Sequence, residues 1–128
     1  MPIFDDALAG IVSALDPYAT AAGLVRRRGG LARSIAWAEI AGRLPDHSWA
    51  ELRVHHRPKE RTLSAGLLVY QPLAHGGRTI PHGDVTYGYD ITSAEVEGRL
   101  VTEVTRWLQA LAMVPAGWDM VETSTPSD

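Results

Sequence analysis

Followed as a string of apolar and polar positions, the chain changes period twice, from three-to-four, to two, and back. Leu8, Ile11, Val12, Leu15, Ala19 and Ala22 recur at spacings of three and four, which lines them along one side of a helix. Asp5 or Asp6 supplies an acceptor for the open N–H groups of the first turn, and Gly23 is a natural stop because glycine takes the left-handed cap conformation without penalty. Pro17 removes a backbone bond inside this helix and predicts a bend. Beyond it, Leu52-Val54-His56, Leu63-Ala65-Leu67-Val69 and Val85-Tyr87-Tyr89-Ile91 each alternate at period two and predict three strands. The charged RPKER, residues 57–61, makes a polar hairpin tip between the first two. Leu31 to Leu44, LARSIAWAEIAGRL, has the alanines of a helix. The alternation of Ile35 and Trp37 favours a strand, with Gly29-Gly30 as the turn before it.

The helical period returns at Thr92. T-S-A-E at 92–95 spells a capping box, with Ile91 placed to staple against Val96. Val96, Leu100, Val104, Trp107, Leu108 and Leu111 carry the apolar stripe onward until Pro115 and Gly117 end it. The expected fold is therefore α+β: a three- to four-stranded antiparallel sheet, with an N-terminal and a C-terminal helix packed on one face and the other face open. Residues 1–121 read as a single α+β domain and residues 122–128, ETSTPSD, as a disordered tail.

Composition narrows the function classes. With 128 residues there is material for one core, and 45% hydrophobic with 21% charged residues is ordinary folding material. A net charge of -3 gives no general attraction for phosphate backbones, so nucleic acid is a poor expectation. Charge is uneven, however: residues 24–61 hold nine Lys and Arg against four acids, whereas residues 62–128 hold three against eight. The absence of cysteine excludes disulfides, thiolate nucleophiles and cysteine-based zinc sites. No apolar run approaches the roughly 20 residues a membrane helix needs, and Asp5 and Asp6 stand where a signal peptide carries positive charge. A cytoplasmic protein without membrane contact is expected.

Candidate chemistry is sparse. His55 and His56 are neighbours in a strand, so they point to opposite faces and cannot chelate one ion together. His56, His82 and Asp84 are the weak catalytic candidates. His75, His82 and Asp84 make up the two-histidine, one-carboxylate set that suits a metal, with H-x-D at 82–84 as the only tight spacing. Neither a nucleophile elbow nor a phosphate loop is present. Residues 72–83, PLAHGGRTIPHG, are a long run of turn formers bearing His75 and Arg78, and such loops are places to look for binding. Arg26, Arg27 and Arg28 follow the first helix, where a tight turn would offer them to a phosphate or an acidic partner. Tyr87 and Tyr89 share a strand face as core or groove lining.

The stretch LDPYATAAGLVRRRGG at 15–30 resembles the opening of small bacterial domains of unknown function built as helix, four-stranded sheet, helix. In these a helix carrying Leu-x-Pro leads into Gly-hydrophobic-basic-basic-x-Gly and the first strand. Pro17, Gly23, Leu24, Arg26 and Gly29 carry the match. Such domains are similar to some found beside polymorphic toxins as candidate immunity proteins. The resemblance implies that fold and a protein-binding role, and no catalytic residues. The expected function is a non-catalytic protein-binding domain, an immunity or adaptor protein, with a protein partner or a second copy of itself and no cofactor. The alternative is a small enzyme or a small-molecule or metal-binding protein, its pocket between sheet and helix lined by Tyr87, Tyr89 and Trp37 with His56, His82 and Asp84.

Overall fold

The computed structural model describes residues 6–44, 47–71 and 78–113. In chain order it contains α1 (Asp6–Ala21), β1 (Val25–Ala32), β2 (Ile35–Arg43), β3 (Trp49–Arg57), β4 (Thr62–Gln71), β5 (Arg78–Gly88) and α2 (Ala94–Met113). The strands form one antiparallel meander in the order β1-β2-β3-β4-β5, so the α+β fold holds with five strands rather than three or four.

α1 runs through Pro17 and closes on a glycine cap. Leu24 N–H donates to Ala19 O (2.8 Å), Gly23 N–H donates to Thr20 O (3.0 Å), and Gly23 sits at φ +86°. The pair satisfies two of the last carbonyls of the helix and delivers the fully buried Leu24 to the core. The chain then enters β1. Here the expectation of a turn at Arg26–Arg28 and Gly29-Gly30 fails: VRRRGGLA is an exposed strand with a bulge at Arg27. The turn lies instead at Arg33 and Ser34, both at positive φ, inside the segment expected to be one strand. Ile35–Arg43 is a strand, as the alternation of Ile35 and Trp37 predicted.

The tip at Pro58–Arg61 joins β3 to β4 through bonds from Glu60 N–H to Arg57 O (3.1 Å) and from Arg61 N–H to Pro58 O (3.1 Å). The expected long loop is shorter than its sequence suggested, because Arg78–Gly88 is already strand. That strand ends at Gly88, leaving Tyr89 and Ile91 beyond it; Ile91 is 92% exposed and does not staple α2. The cap of α2 is also one residue later than the capping box predicted. Ser93 O accepts the first helical bond, from Glu97 N–H (2.8 Å), and Ser93 Oγ bonds the Glu97 carboxylate, while Thr92 Oγ1 accepts from Ala94 N–H (3.1 Å).

Both helices lie on one face of the sheet, α1 over β1 to β3 and α2 over β4 and β5, and pack against each other. Pairing register assigns the faces. Ala36, Ala38 and Ile40 of β2 stand inward with Ala50, Leu52 and Val54 of β3 and Leu63, Ala65, Leu67 and Val69 of β4. They meet Leu8, Ile11, Leu15, Ala19, Val96, Leu100, Val104 and Leu108 of the helices in one core. At ~25 cal/mol per Å2 of apolar surface, this burial is the main force holding the layers together. Among the described residues nothing covers the opposite face of the sheet. Nor is any described helix long and apolar enough to cross a membrane. The expected tail at 122–128 lies outside the described residues.

Candidate functional site

The open face is built row by row from side chains that register places opposite one another. One row runs Arg28, Glu39, Arg53, Gly66, Asp84 across all five strands. The next runs Gly30, Trp37, His55, Ser64, Thr86, and at the far end Arg43, Trp49 and Tyr70 stand side by side. Opposite charges in adjacent strands of one face attract, and this is the case in the first row. Glu39, only 6% exposed, accepts Arg28 Nε at 3.0 Å and lies 3.9 Å from Arg53 Nε. Glu51 is the second organiser: its carboxylate accepts Arg53 Nη2 (3.1 Å), Trp49 Nε1 (3.0 Å) and Tyr70 OH (3.4 Å).

The indole rings hold further guanidinium groups. Arg27 lies 4.9 Å and Arg43 5.8 Å from the Trp49 ring centroid, and Arg28 lies 5.9 Å from that of Trp37. Such stacking draws on the ring quadrupole, orients the cation and leaves its N–H edges pointing outward. Arg57, which reaches Ser64 Oγ at 3.4 Å, completes a field of five arginines on β1, β2 and β3. His55 sits between Arg53 and Arg57 along β3; burial, then those two cations, hold its pKa below the ordinary value of 6.5. It is thus neutral at pH 7, and the positive charge of the face belongs to the arginines.

The histidines at 55 and 56 do face opposite ways. His56, 5% exposed on the inner side, bonds through Nε2 to Tyr89 OH at 2.7 Å. Tyr89 in turn lines an open cleft of about 590 Å3 at the end of the sheet, with Arg61, Asp90, Glu95 and Arg99. Tyr87 is inward too, half-buried under Arg99, whose guanidinium lies 4.8 Å from its ring centroid. Trp37 and Asp84, by contrast, are on the open face, so the residues expected to line one pocket between sheet and helix are divided between two sides of the sheet. His82 occupies the bulge of β5, largely exposed, and the partial burial of its ring lowers its pKa. Among the described residues no three histidine or acidic side chains gather as metal ligands. His75 lies outside the described residues, and Arg78 opens β5 opposite Gln71.

Arg26 is turned to the inner side, opposite Ile40, away from Arg27 and Arg28. The sequence singled out Arg27 and Arg28 but missed Arg43, Arg53, Arg57, Trp37, Trp49 and Tyr70 as their companions. The signal was present in the alternation of β3, where W-E-R-H-R at 49, 51, 53, 55 and 57 is the non-core half of the strand.

No family model matches this chain. No curated protein and no solved structure matches it either.

Proposed function

We propose that this protein is a non-catalytic protein-binding domain, in the manner of an immunity or adaptor protein, which presents the open sheet face to an acidic partner surface. The observation that carries the reading is the set Arg27, Arg28, Arg43 and Arg53, held in place by two tryptophans and two glutamates, with Arg57 beside Ser64, on a face no described helix covers. Prepositioned guanidinium groups lose little freedom on meeting carboxylates, and interfaces favour Arg, Trp and Tyr for that reason. The same stacking weighs against bases as ligands. Both arginines beside Trp49 and the one beside Trp37 already use the rings on which a nucleobase would stack.

The test uses the full chain and poly-L-glutamate, with the indole N–H resonances of Trp37 and Trp49 as reporters. Polyglutamate is expected to shift those two signals and to lose hold as salt is raised. The double variant Arg27→Gln, Arg57→Gln, verified as folded by circular dichroism, is expected to bind about tenfold more weakly. Unmoved indole signals overturn the reading. Tighter binding by oligothymidylate than by polyglutamate overturns it in favour of nucleic acid.

A further inference from the structure

The two edges of the sheet are not equally defended. β5 carries Pro81, which offers no N–H, and a bulge at His82; both discourage pairing by another strand. β1, the other edge, has its irregularity at Arg27, and from Arg28 to Ala32 it is a regular run paired with Glu39 to Ile35. Every residue of β1 except Gly30 is exposed, and Leu31 is left 54% exposed on the inner side. Gly29 and Gly30 put no side chain over this backbone. Gly29 is required there: a Cβ would lie 2.7 Å from Trp37 O.

Under this edge is a groove. It encloses about 320 Å3 and is lined by Leu8, Ala9, Val12, Ser13 and Asp16 of α1, Arg26 of β1 and Ala38 of β2. Ala38 is the residue opposite Gly29, so the missing side chain of Gly29 contributes to the opening. On the outer side of the same edge stand Arg27 and Arg28, the latter 67% exposed beyond its bond to Glu39.

From these features we infer that β1 accepts an extended segment of an acidic partner as a sixth strand, with acidic side chains meeting Arg27 and Arg28 and alternate apolar side chains entering the groove beside α1. The inference rests on the proposed binding of an acidic partner and specifies its conformation. Period two delivers the two kinds of side chain to the two sides, while main-chain bonds to β1 supply sequence-independent affinity. A second copy of this chain is the poorer occupant, because β1 against β1 brings two Arg26–Arg28 runs onto one edge.

A capped peptide of about seven residues alternating glutamate with leucine is the probe, since this is the usual reach of a strand. Titrated into the full chain, it is expected to slow amide exchange at residues 28–32, and its lysine–leucine counterpart is not. Two backbone N-methylated versions, one for each alternate set of amides, separate strand addition from surface docking. In an added strand only one set faces β1, so one version is expected to lose binding and the other to keep it. Ala9→Phe, which fills the groove from α1, and Arg28→Gln are each expected to weaken the peptide by about tenfold. Equal binding by both methylated versions, or no slowing at 28–32, overturns strand addition. Protection at 28–32 that rises with protein concentration in the absence of peptide overturns it in favour of self-association. The indole response to polyglutamate is read separately, so the edge can fail while the face reading stands.

Discussion

At the scale of single residues, His55 is the group whose charge the fold controls most plainly. Its pKa is held below 6.5 in the folded chain by burial and by Arg57 and Arg53. As pH falls below 6.5 the unfolded chain takes up this proton first, so stability is whole above that pH and declines below it. His55→Gln is expected to lessen that decline, with His82 retaining part of it; chemical denaturation at several values between about pH 5 and pH 7.5 checks this. Other residue-level facts were closed to sequence reading. Arg33 and Ser34 both turn at positive φ, at 52° and 70°, where a hairpin normally uses asparagine or glycine. Without that signature the first hairpin was invisible, and Gly29-Gly30, the stronger turn signal, lies within a strand because Trp37 O approaches too closely for a side chain. The opposed faces of His55 and His56 were legible, since adjacent strand residues alternate whatever the surroundings.

Elements were legible in proportion to how much of the core they face. α1, β3, β4 and α2 each bury a regular stripe, and each was located by its period. β1 buries none of its residues and gives no alternation to read; it is a strand because β2 offers a ladder, not because of its own composition. The start of α2 shows the limit of a motif. T-S-A-E pointed to Thr92 and Glu95; Thr92 does take a first-turn N–H, that of Ala94, but the acidic partner is Glu97, bonded by Ser93 one turn before it on the helix. Thr92→Ala, which removes the acceptor of Ala94 N–H, is therefore expected to cost about 1 kcal/mol in urea denaturation, and Ser93→Ala, which removes only the contact to the Glu97 carboxylate, a few tenths. Reversed values would place the side-chain cap on Ser93 instead.

Over the whole molecule, the net charge of -3 conceals a separation of sign. The basic segment of the sequence builds β1 to β3 and its tip, while Glu95, Glu97 and Glu103 ride on α2 across the sheet. Uneven charge in the sequence could equally have meant two segments pairing with each other; only the register shows the arginines gathered on one surface. The site was accordingly half legible, in Arg27 and Arg28, and the rest required knowing which strands are neighbours. The order of elements also bears on how the chain acquires this shape. Every strand pairs with the next in sequence, so four hairpins can form from nearby residues, whereas α1 and α2 meet only across the full span of the sheet. Pulse-labelled hydrogen exchange during refolding is expected to find the β3–β4 amides protected before those of α1. Because one helix precedes all five strands and the other follows them, the oily side of the sheet cannot be shut until α2 has been made, and a growing molecule shows that surface to its surroundings for the whole time its strands are being added.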